Sequence, residues 1–387
     1  MQRQTGRYIK QHLAGESYQA YVPHALPPKP SIDIASLMPA LEQALTHLAA
    51  LNTLSKNIPN HALFIYMYVH KEALLSSQIE GTQSSFADLI LFENKQKPDV
   101  CAHDVKEVSC YVKAIQYGIQ RMKAGFPLSL RLIRDIHAIL LSSGRGSRMQ
   151  PGTFRRSQNW IGGTCPANAL FVPPPVTHLK DCLSSFESFL HDASCTILIR
   201  AALAHVQFET IHPFLDGNGR IGRMLIILLL VSEGVLDQPI LYLSLYLKQH
   251  RKTYYDLLQE VRTHGTWETW IAFFLKGVKE TAKQAVQTVR LIQNLFQEHA
   301  LKIRSLKRAR FSCEVTLEHL KMVPQLTVPQ LAKMQAISQP TARKSLHHLC
   351  DLGIIQEVGQ KKRDKVYIYK SYLDILADGT EPLPSSS

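Results

Sequence analysis

The sequence predicts a mainly α-helical fold that contains one β-hairpin and ends in a smaller, basic unit. Apolar residues recur at helical spacing over much of the chain, beginning with the run Ile34, Leu37, Leu41, Leu45 and Leu48. Before the tail, strand-like sequence is confined to residues 152–175. The tail, residues 301–370, holds most of the formal net charge of +13. These observations favour a helical core joined to a separate basic domain.

Length and composition limit the classes of protein to consider. A chain of 387 residues with 45% hydrophobic content can build two or three domains with sizeable cores. It contains no run of about 18 apolar residues, and residues 1–14 lack the apolar segment of a signal peptide. The seven cysteines show no CxxC pairing, which argues against a zinc module and for a reducing compartment. We therefore expect a cytoplasmic protein without a membrane span.

The domain boundaries follow breaks in the pattern. Residues 1–30 are polar and proline-rich towards their end, which predicts an extended arm laid over a domain. We predict, in order, an N-terminal arm with a helical region, a core, a linker helix, a tail domain and a disordered end, at residues 1–127, 128–280, 281–300, 301–377 and 378–387.

Helices are predicted through most of the chain before the tail. Their predicted bounds are 33–51, 59–75, 86–92, 105–122, 128–141, 178–190, 196–209, 221–231 and 252–262. Loops are predicted at residues 95–99 and 142–148, where charged or glycine-rich sequence interrupts the periodicity. One helical face further on is typical of a core rather than of a surface that stacks nucleic-acid bases, and it comprises Trp267, Trp270, Phe273 and Phe274.

Residues 212–223, His-Pro-Phe-Leu-Asp-Gly-Asn-Gly-Arg-Ile-Gly-Arg, gather groups that suit polyphosphate chemistry. Apolar, helix-compatible segments flank them, so they predict a short loop that leads into a helix N-terminus. Such an end presents free backbone N–H groups and a partial positive charge. Gly217 and Gly219 can take positive φ and let an anion approach the backbone. The stretch therefore predicts an anion-binding nest.

The side chains of this stretch support the same interpretation. Arg220 and Arg223 are three residues apart and would share a helical face, where two guanidiniums suit a polyphosphate. Asp216 is an oxygen ligand of the kind that Mg²⁺ prefers. His212 is the side chain here that can accept a proton near neutral pH. Each feature alone has a structural explanation, as a turn, a polar loop or a solvated face. Together they predict a catalytic phosphate site.

The pattern His-x-Phe-x-Asp-Gly-Asn-Gly-Arg-x-x-Arg resembles the signature of Fic-domain proteins, and every defined position matches. The resemblance implies a Fic-type helical core with a β-hairpin flap, and transfer of AMP from ATP to a protein hydroxyl. It implies that His212 is the base, that Asp216 holds Mg²⁺ and that Phe214 packs beneath the loop. It also implies nucleotide contacts along the rest of the motif, at Gly217, Asn218, Gly219, Arg220, Ile221, Gly222 and Arg223.

A second stretch, residues 71–81, places Ser76 and Glu80 four residues apart, on one helical face. Gly81 follows and can end the helix. Taken alone, this pattern predicts an ordinary exposed glutamate near a helix end. The resemblance adds that many Fic proteins carry a Ser/Thr-x-x-x-Glu-Gly/Asn helix that inhibits the site. It implies that Glu80 pairs with Arg223 and occupies the guanidinium that a γ-phosphate needs.

The strand-like stretch predicts a β-hairpin in which Gly162-Gly163 form the loop. Taken alone, it is a surface hairpin. The resemblance implies a flap that pins a target segment by β-strand addition and contacts nucleotide or target, through Asn159, Trp160, Ile161 and Gly162.

A tyrosine pair, Tyr254 and Tyr255, follows the motif. Such a pair more often packs in a core than contacts a ligand. The resemblance implies a position near the adenine. Some relatives carry an Asn seven residues beyond the pair, where this chain has Arg262, so the base contact stays open.

The tail resembles a winged helix-turn-helix domain. Residues 327–334 and 341–352 predict two helices, and residues 354–358 with 365–369 predict a hairpin. A recognition helix would carry Gln339, Thr341, Arg343 and Lys344, and the wing tip would carry Lys361, Lys362 and Arg363. Positive charge alone supports only phosphate contact. The sequence leaves open whether the tail binds DNA, another protein, or a second copy of the chain in a homodimer.

The sequence thus predicts an autoinhibited protein adenylyltransferase that moves AMP from Mg-ATP to a Ser, Thr or Tyr hydroxyl of a target protein or of itself. Two alternatives stay open. The same site could remove AMP from a target, with Glu80 orienting a water molecule. The chain could instead be a DNA-binding transcriptional regulator whose core senses nucleotide. The intact motif argues against an idle core.

Overall fold

The computed structural model describes residues 3–13, 15–56, 61–86, 88–89, 102–358 and 365–381. It is mainly α-helical, as predicted. Its described residues form two compact units, one of residues 3–53 and 68–283 and the other of residues 54–67 and 284–381. No helix among the described residues is long and apolar enough to cross a membrane.

The helices of the first unit fall close to their predicted positions. We number them α1 to α10, with bounds Ile34–Lys56, His61–Ile79, Ala102–Lys123, Leu130–Leu140, Val176–Leu190, Ile197–Ile211, Asn218–Ser232, Ser244–Gln249, Arg251–His264 and Trp267–Arg304. The division between the units falls inside α1, α2 and α10. The predicted core aromatics of α10 are buried at Trp267, Trp270 and Phe274. The predicted helix at 86–92 lies partly outside the described residues, and the predicted loop at 95–99 lies wholly outside them.

Two helices, α6 and α7, form the centre of the first unit. Both are apolar around most of their circumference, and nearly all of their residues are buried. A helix of this kind needs neighbours on every side. They pack along each other, α5 packs on α6, and α3 packs on α7. The loop that joins α6 to α7 is the motif at residues 212–217, so two buried helices position it.

The prediction of an extended N-terminal arm is wrong. Strands β1, Gly6–Leu13, and β2, Glu16–Pro23, form an antiparallel hairpin in full register, from Gly6 opposite Pro23 to Leu13 opposite Glu16. In β2, Tyr18 and all four residues from Ala20 to Pro23 are buried, whereas Glu16, Ser17 and Gln19 are exposed. The hairpin is therefore part of the core and not a covering arm.

The predicted hairpin at residues 152–175 is reduced to a single pair. Ile161 and Phe171 form one antiparallel bridge, with N–O distances of 2.9 and 3.2 Å, and no longer strand forms among these residues, all of which are described. A short 3₁₀ helix, Pro166–Asn168, occupies the connection. Prolines 173–175 have no N–H to donate, which limits pairing beyond Phe171. The far side of this stretch joins the N-terminal hairpin instead, where Tyr21 N donates to Val172 O.

The second unit contains the two helices and the hairpin predicted for the tail, together with a preceding helix and strand that were not predicted. In chain order the tail elements are α11 Arg310–Met322, β3 Gln325–Thr327, α12 Val328–Gln335, α13 Gln339–Asp351, β4 Gln356–Val358, β5 Val366–Ile368 and α14 Lys370–Ala377. The sheet order is β3-β5-β4, antiparallel throughout. Thr327 and Ser338 cap α12 and α13 through their hydroxyls. The helix α14 was not predicted, and the predicted wing tip at 361–363 lies outside the described residues.

Candidate active site

The motif forms a tight loop between the two central helices. Helix α6 ends at Ile211, and His212 follows in the left-handed region with φ +47°. Gly217, at φ +78°, is the N-cap of α7, which begins at Asn218. A non-glycine residue rarely adopts this backbone region, and it does so mostly at functional sites. The predicted loop and helix N-terminus are both present.

Side chains of the motif itself hold the loop in shape. Asn218 Oδ1 accepts from Phe214 N, and Asn218 Nδ2 donates to Phe214 O, both at 2.9 Å. The Phe214 ring is fully buried and stacks on His137, with ring centroids 3.7 Å apart. Phe214 thus packs beneath the loop as predicted. The side chain of Asn218 is engaged in the loop and leaves only its backbone for a ligand.

Two side chains from residues 155–159 fix the backbone at His212. Arg155 Nε and Asn159 Nδ2 both donate to His212 O, at 3.0 and 3.2 Å. Asn159 also donates to Phe214 O at 2.9 Å. The Nδ2 of Asn159 is thus engaged by the loop, and its Oδ1 has no hydrogen-bond partner among the described residues. The predicted contact of Asn159 with nucleotide or target stays a prediction. Arg155 was missed, since a single arginine far from the motif in sequence carries no signal.

His212 is placed to act as a base. Its Nδ1 lies 3.3 Å from Glu209 O, so an Nδ1–H tautomer donates there and leaves Nε2 with the free electron pair. Burial, with a further contribution from Arg262, lowers the pKa of His212 to about 4. The imidazole is therefore neutral at physiological pH and can accept a proton.

A cavity of about 790 Å³ opens in front of this histidine. The predicted site residues that line it are Glu80, Trp160, Ile161, Gly162, His212, Gly219, Arg223, Tyr254 and Tyr255. Other predicted site residues lie outside its lining, namely Ser76, Asn159, Asp216, Gly217, Asn218, Arg220, Ile221 and Gly222. The lining also includes Glu209, Gln259 and Arg262, which sequence analysis did not assign.

One wall of the cavity is aromatic. Tyr254 is fully buried and its hydroxyl lies 2.8 Å from His205 Nε2, whereas Tyr255 is about two-fifths exposed. Trp160 and Phe171 face the same space. Arg262 occupies the position at which some relatives carry an Asn, seven residues beyond the tyrosine pair. Its guanidinium lies over the Phe171 ring, 4.1 Å from the ring centroid. A cavity with apolar walls and a few polar groups suits a flat organic group such as a nucleobase.

Arg223 is the cation at the inner end of this cavity. Nε donates to Ser76 Oγ at 2.9 Å, and Nη2 donates to Ser76 O at 3.0 Å and to Glu80 Oε1 at 2.6 Å. Its Nη1 is buried without a hydrogen-bond partner among the described residues. Burial alone would lower the pKa of Arg223, but Glu80, together with Tyr254, Tyr255 and Glu209, outweighs burial and the pKa is raised. The guanidinium is thus permanently charged and has one donor group free for an anion.

Glu80 lies over the first turn of α7. Gly219 is helical and does not use positive φ, contrary to the reason given for it in the sequence analysis. A methyl group there would instead collide with Oε1 of Glu80. Burial pushes the pKa of Glu80 upward, but Arg223 prevails and lowers it. An ionised carboxylate therefore lies where the helix N-terminus would receive an anion.

Arg220 has a different carboxylate partner from Arg223. Its Nη1 lies 3.3 Å from Glu107 Oε2, and its Nη2 lies 3.5 Å from Asp216 Oδ1. The prediction that the two guanidiniums converge on one spot is therefore not met, because a separate carboxylate holds each of them. Asp216 keeps a side chain that is 38% exposed, and Gly217 N donates to its Oδ1 at 2.6 Å.

A divalent cation fits at Asp216 on the chemistry of its donors. Mg²⁺ is usually bound through one or two carboxylates together with substrate phosphates. One exposed carboxylate beside a helix N-terminus meets this requirement. The described residues contain no cluster of three or more His, Cys, Asp or Glu able to hold a metal alone. The metal would therefore depend on a bound polyphosphate.

Glu209 is the buried carboxyl of the cavity wall. Its Oε1 has no hydrogen-bond partner among the described residues, and burial raises its pKa to about 7. A methyl group at Gly222 would collide with this oxygen. Gly222 therefore makes room for Glu209, whereas the sequence assigned Gly222 to the nucleotide. Ile221 is likewise buried in α7 and does not face the cavity.

These features define a helical domain whose central loop presents a helix N-terminus, a neutral histidine and a charged arginine to one cavity. Residues 38–120 match the model of the Fic/DOC family N-terminal region, and residues 127–230 match that of the Fic/DOC family. The chain therefore contains a Fic/DOC-family domain, preceded by that family's N-terminal region.

Curated relatives and solved structures agree with this assignment. Over 157 residues the chain is 34% identical to Protein adenylyltransferase Fic of Aedes aegypti, covering 40% of this chain and 28% of the relative. Over 245 residues it is 29% identical to the protein of that name from Drosophila willistoni, covering 62% and 45%. The chain thus spans less than half the length of these relatives.

Two bacterial structures share the fold. A Fic family protein from Desulfovibrio desulfuricans G20 aligns with a TM-score of 0.55 and 17% identity, over 86% of this chain and 96% of that one. A Fic domain containing signaling protein from Bacteroides thetaiotaomicron aligns with a TM-score of 0.52 and 16% identity, over 64% and 97%.

Proposed function

We propose that this protein transfers AMP from Mg-ATP to a Ser, Thr or Tyr hydroxyl of a target protein, which can be the protein itself. The observation that carries the proposal is the neutral, half-buried His212 beside an α-helix N-terminus in a cavity of nucleotide size. The relatives called Protein adenylyltransferase Fic support the same reaction.

The chemistry follows from the order of groups along the cavity. The adenine of ATP packs against the aromatic wall that contains Tyr254 and Tyr255. The backbone N–H groups at the start of α7 face the phosphates. His212 Nε2 takes the proton of the target hydroxyl as its oxygen forms a bond to the α-phosphorus. The bond from that phosphorus to the bridging oxygen breaks, and pyrophosphate leaves. Arg223 Nη1 offers an unused donor to the charge on the leaving group.

Mg²⁺ at Asp216 would neutralise phosphate charge when bound with the nucleotide. The chain's own part is to hold the carboxylate beside the phosphates. Gly217 N orients Oδ1, and a methyl group at Gly146 would collide with Oδ2, so a glycine lies against that oxygen.

We propose that the target segment docks on the flap residues Trp160, Ile161 and Gly162. Leu170, beside them, is 80% exposed, and Trp160 is 36% exposed. The backbone of a target could add to the short bridge at Ile161, and such pairing tolerates many side chains.

We propose that Glu80 holds the enzyme inactive. Its carboxylate lies over the first turn of α7 and engages Arg223, so it competes with phosphate for both position and charge. Lys248 Nζ and Arg251 Nε donate to Gln78 Oε1 and Ile79 O, at 2.7 and 3.3 Å, and hold the end of α2 in this place. A bias of about 2.7 kcal/mol would leave roughly 1% of molecules competent, which is ample inhibition.

Transfer of radioactive label from α-labelled ATP tests the reaction. With Mg²⁺, wild type, Glu80→Gly and the double variant Glu80→Gly with His212→Ala are compared, on the protein itself and on cell extract. We expect strong labelling with Glu80→Gly and none with the double variant. If Glu80→Gly labels nothing, the transfer reaction is wrong, and release of AMP from a labelled target is tested next.

A second candidate function belongs to the tail. We propose that residues 301–377 form a winged helix-turn-helix domain that binds DNA. Helix α13 is supported by the Ser338 cap, and its residues Gln339, Thr341, Arg343 and Lys344 are exposed. Binding to random-sequence DNA at 50 and 200 mM salt tests this role. The combined change Arg343→Ala and Lys344→Ala should weaken binding and flatten its salt dependence. If wild type binds no DNA, the tail domain is tested next for binding to another protein or to a second copy of the chain.

A further inference from the structure

Glu107, on α3, is a buried carboxylate that the reaction proposed above does not use. Its side chain is 2% exposed, and its partner Arg220 is 4% exposed. Its Oε2 lies 3.3 Å from Arg220 Nη1. Its Oε1 accepts from Arg145 N at 2.8 Å and from Arg145 Nε at 3.1 Å. One carboxylate therefore joins the motif helix α7 to the loop at residues 142–148, which the sequence predicted only as a break.

That loop is shaped to fit around two carboxylates. Gly144 and Gly146 both take positive φ, at +85° and +80°. A methyl group at Gly144 would collide with Glu107, and one at Gly146 would collide with Oδ2 of Asp216. The loop therefore contacts Glu107 at Gly144 and the candidate metal ligand, Asp216, at Gly146. Moving the loop would remove what fixes that side of Asp216.

Both paths from Glu107 end on Asp216. Through Arg220, whose Nη2 lies 3.5 Å from Asp216 Oδ1, it sets one oxygen of the carboxylate. Through the loop that carries Arg145 and Gly146, Glu107 positions the other oxygen, Oδ2 of Asp216. We propose that Glu107 is a positioning residue that holds Asp216 in the orientation needed to bind Mg²⁺ with a nucleotide. This inference rests on the proposed function, because it assigns a role at the same site.

Glu107 and Glu80 therefore have opposite roles, although each pairs with a motif arginine. Glu80 has a side chain that is 35% exposed and follows the end of α2, so it can leave. Glu107 is enclosed within α3, and its departure would leave the buried Arg220 with only the partly exposed Asp216, at 3.5 Å, as a counter-ion. Removing Glu80 should help the nucleotide bind, whereas removing Glu107 should impair Mg²⁺-dependent binding.

The test measures binding and not turnover. In the Glu80→Gly background, an ATP carrying a fluorescent ribose label is titrated at increasing Mg²⁺, with and without Glu107→Gln. Groups that orient metal ligands typically contribute about 10- to 100-fold to metal affinity. We expect the Mg²⁺ concentration for half-maximal binding to rise by about that factor, with binding restored at high Mg²⁺.

Two further variants keep the result interpretable if Glu107→Gln folds poorly. Arg145 is 55% exposed, so Arg145→Ala removes the side-chain contact to Glu107 with little effect on folding and leaves the backbone hydrogen bond in place. We expect a smaller shift in the same direction. Glu233→Gln is the matched control, because it removes the partner of another buried arginine, Arg200, at 2.8 Å, far along α7. It should leave the Mg²⁺ requirement unchanged.

An unchanged Mg²⁺ requirement in both Glu107→Gln and Arg145→Ala overturns the inference. So does an equal shift in Glu233→Gln, which would indicate a general loss of stability. If the Glu80→Gly parent binds no labelled ATP at any Mg²⁺ concentration, the proposed function itself fails and this inference falls with it.

Discussion

The carboxylate of Glu80 lies 2.6 Å from the guanidinium of Arg223, directly over the helix turn that begins at Gly217. The two residues are 143 positions apart in sequence. Their contact places a negative charge at the point where a polyphosphate would need the helix N-terminus and the arginine together. A site prepared for an anion is thus filled by an anionic group of the same chain.

Ser76 supports this contact and should set its strength. Ser76→Ala removes the acceptor of Arg223 Nε but leaves the backbone acceptor and Glu80 in place. We expect AMP transfer to rise a few-fold, well below the roughly 100-fold limit expected for Glu80→Gly at a bias of about 2.7 kcal/mol. Rates of label transfer measure this, with the exposed Ser194→Ala as control. A Ser76→Ala rate equal to wild type would contradict a role for the hydroxyl.

His212 should affect the rate of transfer and not the binding of nucleotide. In the Glu80→Gly background, His212→Ala should lower kcat by about 100- to 10,000-fold, the usual contribution of a general base. The affinity for Mg-ATP should change little, since the side chain faces the target hydroxyl. Single-turnover kinetics and nucleotide titration separate the two quantities. A matching loss of affinity would assign His212 to binding.

The pH dependence of AMP transfer by Glu80→Gly, which keeps His212, should reflect the lowered pKa of that histidine. The base form is the neutral imidazole, and its pKa of about 4 keeps it neutral well below the ordinary value near 6.5. The acid limb of kcat/KM for Glu80→Gly should therefore lie below pH 5. A limb centred near pH 6.5 would mean that the histidine is solvated during the reaction.

Unfolding should become easier as the pH falls from about 6.5 to 4. Burial lowers the pKa of His70 and His205 to about 3 and of His137 to about 4, as for His212. In this window the unfolded chain binds protons at these four imidazoles that the folded chain does not, so acid favours unfolding. Burial raises the pKa of Glu72 and Glu209 to about 7, and these carboxyls favour folding at acid pH. In the folded chain they keep protons that the unfolded carboxyls lose. The four histidines outnumber them.

Chemical denaturation at pH 7 and pH 5 measures the net effect. We expect a lower free energy of unfolding at pH 5, provided that the same two-state transition is followed at both values. Equal or greater stability at pH 5 would show that the carboxyls dominate.

Phe214 should contribute to stability as well as to the shape of the loop. Its ring is fully buried against His137, Phe154 and Phe208, so Phe214→Ala should cost about 3–5 kcal/mol. Phe311, 77% exposed, is the matched control, and Phe311→Ala should change stability by less than about 0.5 kcal/mol. Denaturant titration of both variants checks this. Similar losses in the two would argue against the packing account.

The sequence predicted the parts of the site that are close together along the chain. The loop at 212–217, the helix that follows and the face shared by Ser76 and Glu80 each depend on spacing within a few residues. Glu107, His137 and Arg155 contact the motif across long separations, and a lone residue of any of these types carries no pattern. Tertiary packing alone brings them to the loop.

The errors in the fold have local causes. The alternation of Tyr18, Ala20 and Val22 after Gly15 was a usable signal for the N-terminal hairpin, but the neighbouring prolines suggested an arm. In residues 152–175 the pattern indicated a hairpin, whereas the prolines that follow Phe171 limit pairing to one bridge. Gly219 and Gly222 were assigned to backbone freedom or nucleotide, and both instead make room for a carboxylate.

The competition between Glu80 and the nucleotide is tested most directly by affinity. Mg-ATP and AMP are titrated into wild type, Glu80→Gly and Glu80→Gly with Arg223→Ala. We predict that Glu80→Gly binds Mg-ATP up to about 100-fold more tightly than wild type, that AMP gains much less, and that Arg223→Ala removes the gain. Equal affinities for Mg-ATP in wild type and Glu80→Gly would contradict the account, as would an equal gain for AMP, which has no γ-phosphate to meet Arg223.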